Sequence, residues 1–461
     1  MAQIKRINNA GKDMTTGNPL ALILMFSIPI LIGNIFQQLY NVVDTSVIGH
    51  VLGDHSLAAI GATAAIYNLV IGFANGTTNG FAVVLATFYG KKDPEGIRKT
   101  VSLTVVLTVL ISVLLTVLSV TCILSLLRFM NTPEAILKEA VDYLHIILLF
   151  SIVTMLYNMF AGMLRAIGNS MAPLVFLIVS TAVNIILDIL FVKTFGMGIK
   201  GAAYATVIAQ FVSMVLSIIY IYKCCPVLHP DIKYVNPVFL LKEKKLTGEL
   251  LTTGLSMGLM LAIVSIGSVA LQSAVNGFGT AVITAHTAAR KIDDIFMLPL
   301  GTLSMASSTF VGQNYGAGKM ERVKKGIIEV IKAAMLWSLL SAVIAFLGCG
   351  WMVRVLTGTK NSEVLHTAAA YIHWNIPFFV ILSVLLILRS SLQATGRKIV
   401  PLMASGVELV AKFGAVGFLT PVLGYFGVCI LEPIIWIFCT VMVLMDFYRF
   451  YISCAGNIKF T

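Results

Sequence analysis

The sequence predicts an all-α polytopic membrane protein with twelve transmembrane helices in two six-helix lobes, related by a pseudo-two-fold axis along the membrane normal. Three observations support this prediction. Of the 461 residues, 58% are hydrophobic and only 11% are charged, whereas a soluble protein carries about a quarter charged residues. Apolar runs long enough to cross about 30 Å of hydrocarbon recur along the chain. The two halves of the chain also resemble each other at a nearly constant offset.

Twelve apolar stretches are predicted to cross the membrane, and several exceed the roughly 20 residues that a span needs, which favours tilted or kinked helices. These stretches lie near residues 20–47, 57–88, 100–127, 136–163, 171–194, 198–222, 250–276, 281–311, 326–353, 364–392, 399–420 and 424–447. The polar segment 223–249 falls between the sixth and seventh spans and is predicted to be a cytoplasmic linker. It separates an N-terminal lobe (1–222) from a C-terminal lobe (250–461).

The basic residues predict the orientation of the chain. The net charge is +12, from 32 Lys and Arg residues against 20 Asp and Glu residues. When both termini are placed in the cytoplasm, most basic residues outside the spans fall on the cytoplasmic side, including Lys5, Arg6 and Lys459, and few such as Lys360 fall outside. The positive-inside rule therefore predicts cytoplasmic termini. Nucleic-acid binding is not expected, because the basic residues form no surface with interleaved aromatic side chains.

An internal repeat is visible in the loops. The segment "FYGKKDPEGIRK" (88–99) aligns without a gap with "NYGAGKMERVKK" (314–325) at an offset of 226 residues. Further along, "LRAIGNSMAPL" (164–174) aligns with "LQATGRKIVPL" (392–402) at an offset of 228, and "GIKG" with "GYFG" at 226. Two repeats of six spans have the same orientation in the membrane. Transporters commonly place their substrate path between such repeats and alternate access by rocking one half against the other.

Two aspartates lie deep in predicted spans of the first half. A carboxylate within a span costs about 2.5–3.5 kcal/mol on insertion scales, so it needs a partner, a proton or a cation. Asp44 and Asp188 each lie about six residues from the outer end of their spans, which places both about 9 Å inside the outer boundary. Asn184 shares the face of Asp188 one turn deeper, and Thr206 reaches a similar depth from the sixth span. These four residues are predicted to bind a coupling cation.

The chemistry of these four side chains suits either a sodium ion or a proton. Carboxylate, amide and hydroxyl oxygens suit a hard cation such as sodium, and two close carboxylates raise each other's affinity for a proton. Asp44, Asn184, Asp188 and Thr206 are therefore the predicted ligands if the ion is sodium, and the two aspartates suffice if it is a proton. Hydrogen bonding between helices is the alternative role for these side chains.

Other polar residues within spans are candidates for lining a cavity. Asn34, Gln37 and Asn41 form one helical stripe with Asp44 in the first span. The segment "AARKIDD" (288–294) adds Arg290, Asp293 and Asp294 to the eighth span, where both signs of charge can also pair locally. Glu408 and Lys412 are four residues apart and are predicted to neutralise each other.

Enzymatic chemistry is not predicted. The sequence contains no Walker A run, nucleotide fingerprint or nucleophile motif, and no Cys or His spacing matches a zinc site. No catalytic residue and no cofactor is therefore expected. Since there is no ATP site, transport by this chain is predicted to be driven by an ion gradient.

Several motifs together resemble the multidrug and toxic compound extrusion (MATE) transporters. They are "VDTSVIG" in the first span, "LRAIGNSMAPL", "NIILDILF" followed by "GMGIKGAAYATVIAQ", and "VGQNYGAGKMERVKK". The resemblance implies two six-helix lobes around a V-shaped cavity, a monomer, and exchange of organic, often cationic compounds for sodium ions or protons. The family's N-lobe cation site maps onto Asp44, Asn184, Asp188 and Thr206, as in the DinF-like branch. The carboxylates of the NorM-type C-lobe site have no counterpart in the seventh or tenth span here.

The sequence thus predicts a cation-coupled antiporter in the cytoplasmic membrane of a prokaryote, acting on small organic compounds by rocking of its lobes. A flippase for a lipid-linked sugar is the alternative, although such proteins tend to carry cationic cavities and the predicted N-lobe cavity here is acidic. A membrane sensor or scaffold is a third class, for which the sequence offers no signalling domain.

Overall fold

The computed structural model describes residues 11–359 and 361–457, with the backbone path alone for 453–457. Lys5, Arg6, Lys360 and Lys459, which contribute to the predicted orientation, lie outside the described residues. Regular structure in the described part of the chain is entirely helical. In chain order, the helices are α1 (Pro19–Leu52), α2 (Asp54–Lys91), α3 (Pro94–Phe129), α4 (Glu134–Leu149), α5 (Ser151–Ala166), α6 (Met171–Asp188), α7 (Gly198–Cys224), α8 (Pro237–Lys242), α9 (Lys244–Asn276), α10 (Thr280–Gly316), α11 (Met320–Thr357), α12 (Ser362–Asn375), α13 (Phe379–Ala394), α14 (Ile399–Gly414), α15 (Thr420–Leu423) and α16 (Tyr425–Asn457).

The helices match the predicted spans. By length and composition, eleven helical spans within the described residues can cross a membrane, and the bent pair α4–α5 makes a twelfth if it is counted as one span. The prediction of an all-α polytopic membrane protein is therefore confirmed. Helix α9 begins at Lys244, so the last residues of the predicted linker 223–249 are already helical.

Two predicted spans are broken in the structure. The span predicted at 136–163 bends by 47° between α4 and α5 at Phe150, although no proline or glycine lies at the break. The span predicted at 364–392 contains a 3₁₀ turn, Ile376–Phe378, between α12 and α13. Pro377 explains this second break, because proline has no N–H group to continue the helical hydrogen bonds.

The chain divides into two compact units. The first is built chiefly from Ile28–Ala262, and the second chiefly from Ile263–Tyr315 and the chain from Lys319 onward. In the first unit, α6 packs along α7 and α5 lies between α2, α3 and α7. In the second unit, α13 packs between α11 and α16, and α14 packs on α16. The predicted lobe boundaries at 222 and 250 stay a prediction.

The internal repeat is visible in the backbone. Helix α6 ends at Asp188 and continues as a π-helical segment, Ile189–Thr194; helix α14 ends at Gly414, 226 residues later, and continues as the π-helical segment Ala415–Leu419. Positive φ angles recur at the same offset, at 84° and 92° in Gly53 and Gly279 and at 61° and 59° in Gly198 and Gly424. Both halves therefore share their turns and their helical irregularities, not only their hydropathy.

Candidate functional site

The four predicted cation ligands come from three helices of the first unit and are all buried. Asp44 lies on α1, Asn184 and Asp188 lie on the last turns of α6, and Thr206 lies on α7. Their exposed fractions are 8%, 0%, 0% and 5%, respectively. Asp188 is the last residue of α6 before the π-helical segment. Such π-helical irregularities occur frequently at functional sites.

Two carboxylates meet in this cluster. The side chains of Asp44 and Asp188 face each other at close range. The hydroxyl of Thr206 is hydrogen-bonded to the hydroxyl of Tyr40, with 2.9 Å between the two oxygens. Thr206 therefore connects α7 to the helix that carries Asp44. The structure brings Asp44 and Asp188 together directly, as the depth of the two residues in their spans predicts.

The cluster contains several polar atoms without a hydrogen-bond partner among the described residues. They are Oδ1 of Asp44, both carboxylate oxygens of Asp188, and both side-chain amide atoms of Asn184. Buried polar groups are nearly always hydrogen-bonded, and leaving one unpaired costs about 1–3 kcal/mol, more for a charged group. Several unpaired atoms at one place are therefore the pattern expected of a site that binds an ion.

Three tyrosines lie around Asp44, in addition to the residues predicted from the sequence. The hydroxyls of Tyr40 on α1, Tyr67 on α2 and Tyr143 on α4 are all within electrostatic range of the Asp44 carboxylate. Tyr40 lies one helical turn before Asp44, and this spacing is a signal in the sequence. Tyr67 and Tyr143 reach the site from other helices, so nothing local in the sequence indicates them.

The other polar residues of α1 lie beside the buried cluster. Asn34 is partly buried, whereas Gln37 and Asn41 are exposed. Large exposed apolar side chains such as Ile35 and Leu39 occupy a different face of the same helix. Polar side chains facing lipid are costly, so the Gln37–Asn41 face suits contact with water or with a polar ligand. That these residues line a cavity stays a prediction.

The predicted residues of α10 differ from one another in burial. Asp293 is 1% exposed, Asp294 is exposed, and Arg290 is partly buried. Arg290 forms an ion pair with Glu432 of α16, with 2.8 Å between Nη1 and Oε2. The same Nη1 lies 3.2 Å from the hydroxyl of Tyr371, to which it donates. Arg290 thus belongs to a buried network in the second unit.

This network extends to α14. Lys412 is 3.0 Å from Glu408, as the spacing of four residues predicts, and it also pairs with Glu432 at 3.4 Å. Arg389 of α13 lies 3.8 Å from the other oxygen of Glu408. Glu432 therefore has two cationic partners on two different helices. The spacing of Glu408 and Lys412 predicts their pairing, but nothing local in the sequence indicates Glu432 as a further partner.

The first cluster is better suited to a small ion than to catalysis. It offers two carboxylates, an amide oxygen and a hydroxyl, which are hard oxygen donors. Among residues 11–359 and 361–452, whose side chains are described, no group of three or more His, Cys, Asp and Glu side chains is placed to hold a metal ion. A sodium ion or a proton needs fewer acidic ligands than such a group supplies.

The fold and these sites define a multi-pass membrane protein with ionisable groups buried inside its helical units. A family sequence model described as MatE matches the chain twice, at residues 29–190 and 257–414. The two matches cover more than half of the chain, one in each half, as the internal repeat predicts. The chain therefore belongs to the MATE family, whose members are transporters and not enzymes.

Relatives with similar sequences agree with this assignment. The probable multidrug resistance protein YpnP of Bacillus subtilis (strain 168) is 27% identical over 384 residues, which cover 83% of this chain and 84% of that protein. The DNA damage-inducible protein F of Escherichia coli (strain K12) is 25% identical over 371 residues, with coverage of 76% and 75%.

Solved structures share the fold. A crystal structure of MATE in complex with MaL6 superposes with a TM-score of 0.85 at 23% identity, covering 97% of this chain and 99% of that one. The outward-facing conformation of a multidrug resistance MATE family transporter of the MOP superfamily also gives 0.85, at 24% identity and the same coverage. At these identities the superpositions establish the fold alone.

Proposed function

We propose that this protein is a secondary antiporter that exports amphipathic, often cationic organic compounds in exchange for sodium ions or protons. The observation that supports this most directly is the buried pair of facing carboxylates, Asp44 and Asp188, with unpartnered oxygens. The name of the Bacillus subtilis relative, a probable multidrug resistance protein, is consistent with organic compounds as substrates.

The coupling follows from the electrostatics of the pair. With both carboxylates ionised, Asp44 and Asp188 repel each other, and α1 is pushed away from α6. An ion that binds between them replaces this repulsion with attraction and favours close packing of the two helices. Because α1 also carries the exposed polar face at Gln37 and Asn41, its movement changes the surface offered to a substrate. Ion binding and substrate release are thereby linked through one helix.

Sodium and protons make different demands on the site. A proton needs only a carboxylate oxygen, which the aspartate pair supplies. A sodium ion needs several oxygen ligands, for which Asn184 and Thr206 would add one each. The hydrogen bond between the hydroxyls of Tyr40 and Thr206 fixes the position of the Thr206 hydroxyl. The orientation of the Thr206 hydroxyl therefore matters for sodium more than for a proton.

The cellular setting is part of the same proposal. The relatives with similar sequences are bacterial, and the positive-inside rule favours cytoplasmic termini. We place the protein in the cytoplasmic membrane of a prokaryote, with both termini in the cytoplasm, and expect it to act as a monomer on small organic substrates.

The test uses purified full-length protein in liposomes loaded with a fluorescent organic cation. A sodium gradient and a proton gradient are applied separately to wild type, Asp44→Asn and Asp188→Asn. We expect one gradient to drive dye movement in the wild type, and both variants to lose it, because an amide cannot hold the exchanged charge. Asp142→Asn is the matched control, since Asp142 is a carboxylate of the same unit that pairs with Lys200 at 3.2 Å.

Two outcomes would contradict the proposal. Gradient-driven transport that survives in both well-folded variants would remove the aspartate pair from the mechanism. No dye movement under either gradient would exclude antiport of organic cations and favour lipid-linked substrates instead.

A further inference from the structure

The second unit contains a buried ionic network that the proposed antiport mechanism does not use. Three cationic side chains, those of Arg290, Arg389 and Lys412, alternate with the two carboxylates of Glu408 and Glu432. Each side chain except that of Arg290 is at most 10% exposed. Two carboxylates cannot neutralise three cations, so the network needs one further negative charge to be neutral.

Asp293 is the side chain placed to supply that charge, once its carboxyl group has lost a proton. It is 1% exposed, and its Oδ1 has no hydrogen-bond partner among the described residues. Arg290, one turn earlier on the same helix, interacts electrostatically with Asp293, but it is engaged by Glu432 at 2.8 Å and by Tyr371 at 3.2 Å. The carboxyl group of Asp293 is thus buried beside a cation that points elsewhere.

The ionisable groups around Asp293 come from four helices. Arg290 and Asp294 lie on the same helix, α10. Glu432 and Tyr425 come from α16, Tyr371 from α12 and Cys349 from α11. Arg290 is the sole cation of this set, and Glu432 already holds it. An ionised Asp293 in this arrangement would therefore be a buried charge without a direct partner, which is strongly unfavourable.

The internal repeat places this network where the first unit has its candidate ion site. At the offset of 226 residues that aligns the loops and the positive-φ glycines, Asp293 corresponds to Tyr67 and Glu432 corresponds to Thr206. Tyr67 and Thr206 are both members of the Asp44 cluster. The carboxylates of the two units therefore lie on helices that are not equivalent. Those of the second unit nevertheless occupy positions whose equivalents in the first unit belong to the Asp44 cluster.

We propose that Asp293 is a proton-binding site of the second unit, and that Arg290 exchanges partners when the proton is released. In the arrangement seen here, the proton is bonded to a carboxyl oxygen of Asp293, and Arg290 pairs with Glu432 and Tyr371. When the proton leaves, Arg290 turns to the ionised Asp293, three residues away and on the same side of the helix. Glu432 then keeps Lys412 and the hydrogen bond from Tyr371, at 3.4 Å and 3.0 Å. Arg290 is 29% exposed, so the released proton has a route out of the unit.

A metal cation fits this position poorly. The three cationic side chains of the network repel a further cation. Glu408 and Glu432 are already paired with these cations, which leaves Asp293 as the carboxylate without an ion pair among the described residues. A proton becomes part of a neutral carboxyl group and avoids this repulsion. The ligand is therefore a proton. This inference does not depend on the roles proposed for Asp44 and Asp188.

The test is infrared spectroscopy of the purified full-length protein during a pH titration. Protonated carboxyl groups have a C=O stretch separate from that of carboxylates. We expect the loss of one titrating carboxyl band in Asp293→Asn, because an amide cannot release the proton. The matched control is Asp294→Asn, which changes the exposed neighbour on the same helix and should keep the band. An unchanged set of bands in Asp293→Asn would overturn the proposal.

A second measurement guards against failure of that variant to fold. The Asp44→Asn/Asp188→Asn protein, labelled with ¹³C-aspartate, should keep one carboxyl band that shifts with the label and titrates, whatever becomes of its transport activity. Absence of a labelled carboxyl band would show that Asp293 is permanently ionised, and a labelled band that does not change with pH would show that it never releases its proton; either result would overturn the proposal. The unfolding temperature gives a further criterion: it should be unchanged in Asp293→Asn if the carboxyl is neutral, and lowered if the carboxylate is a fixed counter-ion.

Discussion

Pro433 shows how a proline within a membrane helix is accommodated. Proline has no N–H group, so it leaves the carbonyl of the residue four positions earlier without its helical partner. In α16 that carbonyl belongs to Cys429, and it accepts a hydrogen bond from the side-chain amide of Asn375 at 3.0 Å. The interruption is thus satisfied from a neighbouring helix, which is how prolines are tolerated within membrane spans. Glu432, the residue before Pro433, therefore lies in a part of α16 that is hydrogen-bonded to α12.

Glu432 is the residue on which the buried network of the second unit depends. Its carboxylate contacts Arg290, Lys412 and Tyr371. We expect Glu432→Gln to lower the free energy of unfolding by about 3–5 kcal/mol, because it removes the counter-ion of the partly buried Arg290 and one of the two counter-ions of the buried Lys412. Unfolding by titration with a denaturing detergent measures this loss.

The control for that substitution is Glu363→Gln, which removes the same charge from the exposed first turn of α12. Its effect should remain within about 0.5 kcal/mol, as for other exposed positions. Equal stability of Glu432→Gln and wild type would show that Arg290 and Lys412 are hydrated, and that the network does not stabilise the unit.

At the scale of elements, the contact between α2 and α9 within the first unit depends on glycines from both helices. A Cβ atom at Gly76 would lie 2.4 Å from the carbonyl oxygen of Met257, and one at Gly258 would lie 2.4 Å from Oγ1 of Thr77. Gly80 and Gly254 make similarly close approaches. Each helix therefore contributes two small residues four positions apart, which is a common arrangement where membrane helices approach closely.

The glycine contact predicts the effect of adding one methyl group. Gly76→Ala and Gly258→Ala should each destabilise the protein by about 1–3 kcal/mol, because the backbone atoms opposite cannot move aside without separating the helices. Thermal unfolding of the purified variants measures the effect.

Gly61→Ala is the control on the same helix α2. Nothing lies within 4 Å of a Cβ atom at Gly61, so this change should be neutral or stabilising by about 0.5–1 kcal/mol, since alanine favours a helix over glycine. Similar losses in all three variants would mean that helix flexibility, rather than close packing, requires these glycines.

At the scale of the whole molecule, the orientation in the membrane can be tested by chemical labelling. In a background with the seven cysteines replaced by alanine, we expect Glu134→Cys, at the start of α4, to react with a membrane-impermeant thiol reagent in intact cells. Lys245→Cys, at the start of α9, should react only after the membrane is permeabilised. We expect this pattern because the basic residues outside the spans are concentrated in the segments on one side of the membrane, which is the cytoplasmic side by the positive-inside rule. Reaction in the opposite pattern would place both termini outside.

The amino-acid sequence by itself predicted the membrane class, the helical spans and the internal repeat. Each of these depends on local properties, namely long apolar runs and turns that recur at one offset. The pairing of Glu408 with Lys412 was also predictable, because residues four apart meet on a helix. Asp44 and Asp188 stood out for the same local reason, since a carboxylate within an apolar run needs a partner or an ion.

The tertiary structure decided which helices meet. Tyr67 and Tyr143 beside Asp44, and Glu432 between Arg290 and Lys412, bring together residues far apart in the sequence. Helical periodicity shows which residues share a face, but it gives neither the neighbour of that face nor the rotation of one helix against another. Asp293 and Asp294 illustrate the limit: they are adjacent in sequence, yet one is fully buried and the other is exposed. Only the packing of α10 against its neighbours separates their environments, because that packing determines which side of the helix is removed from solvent.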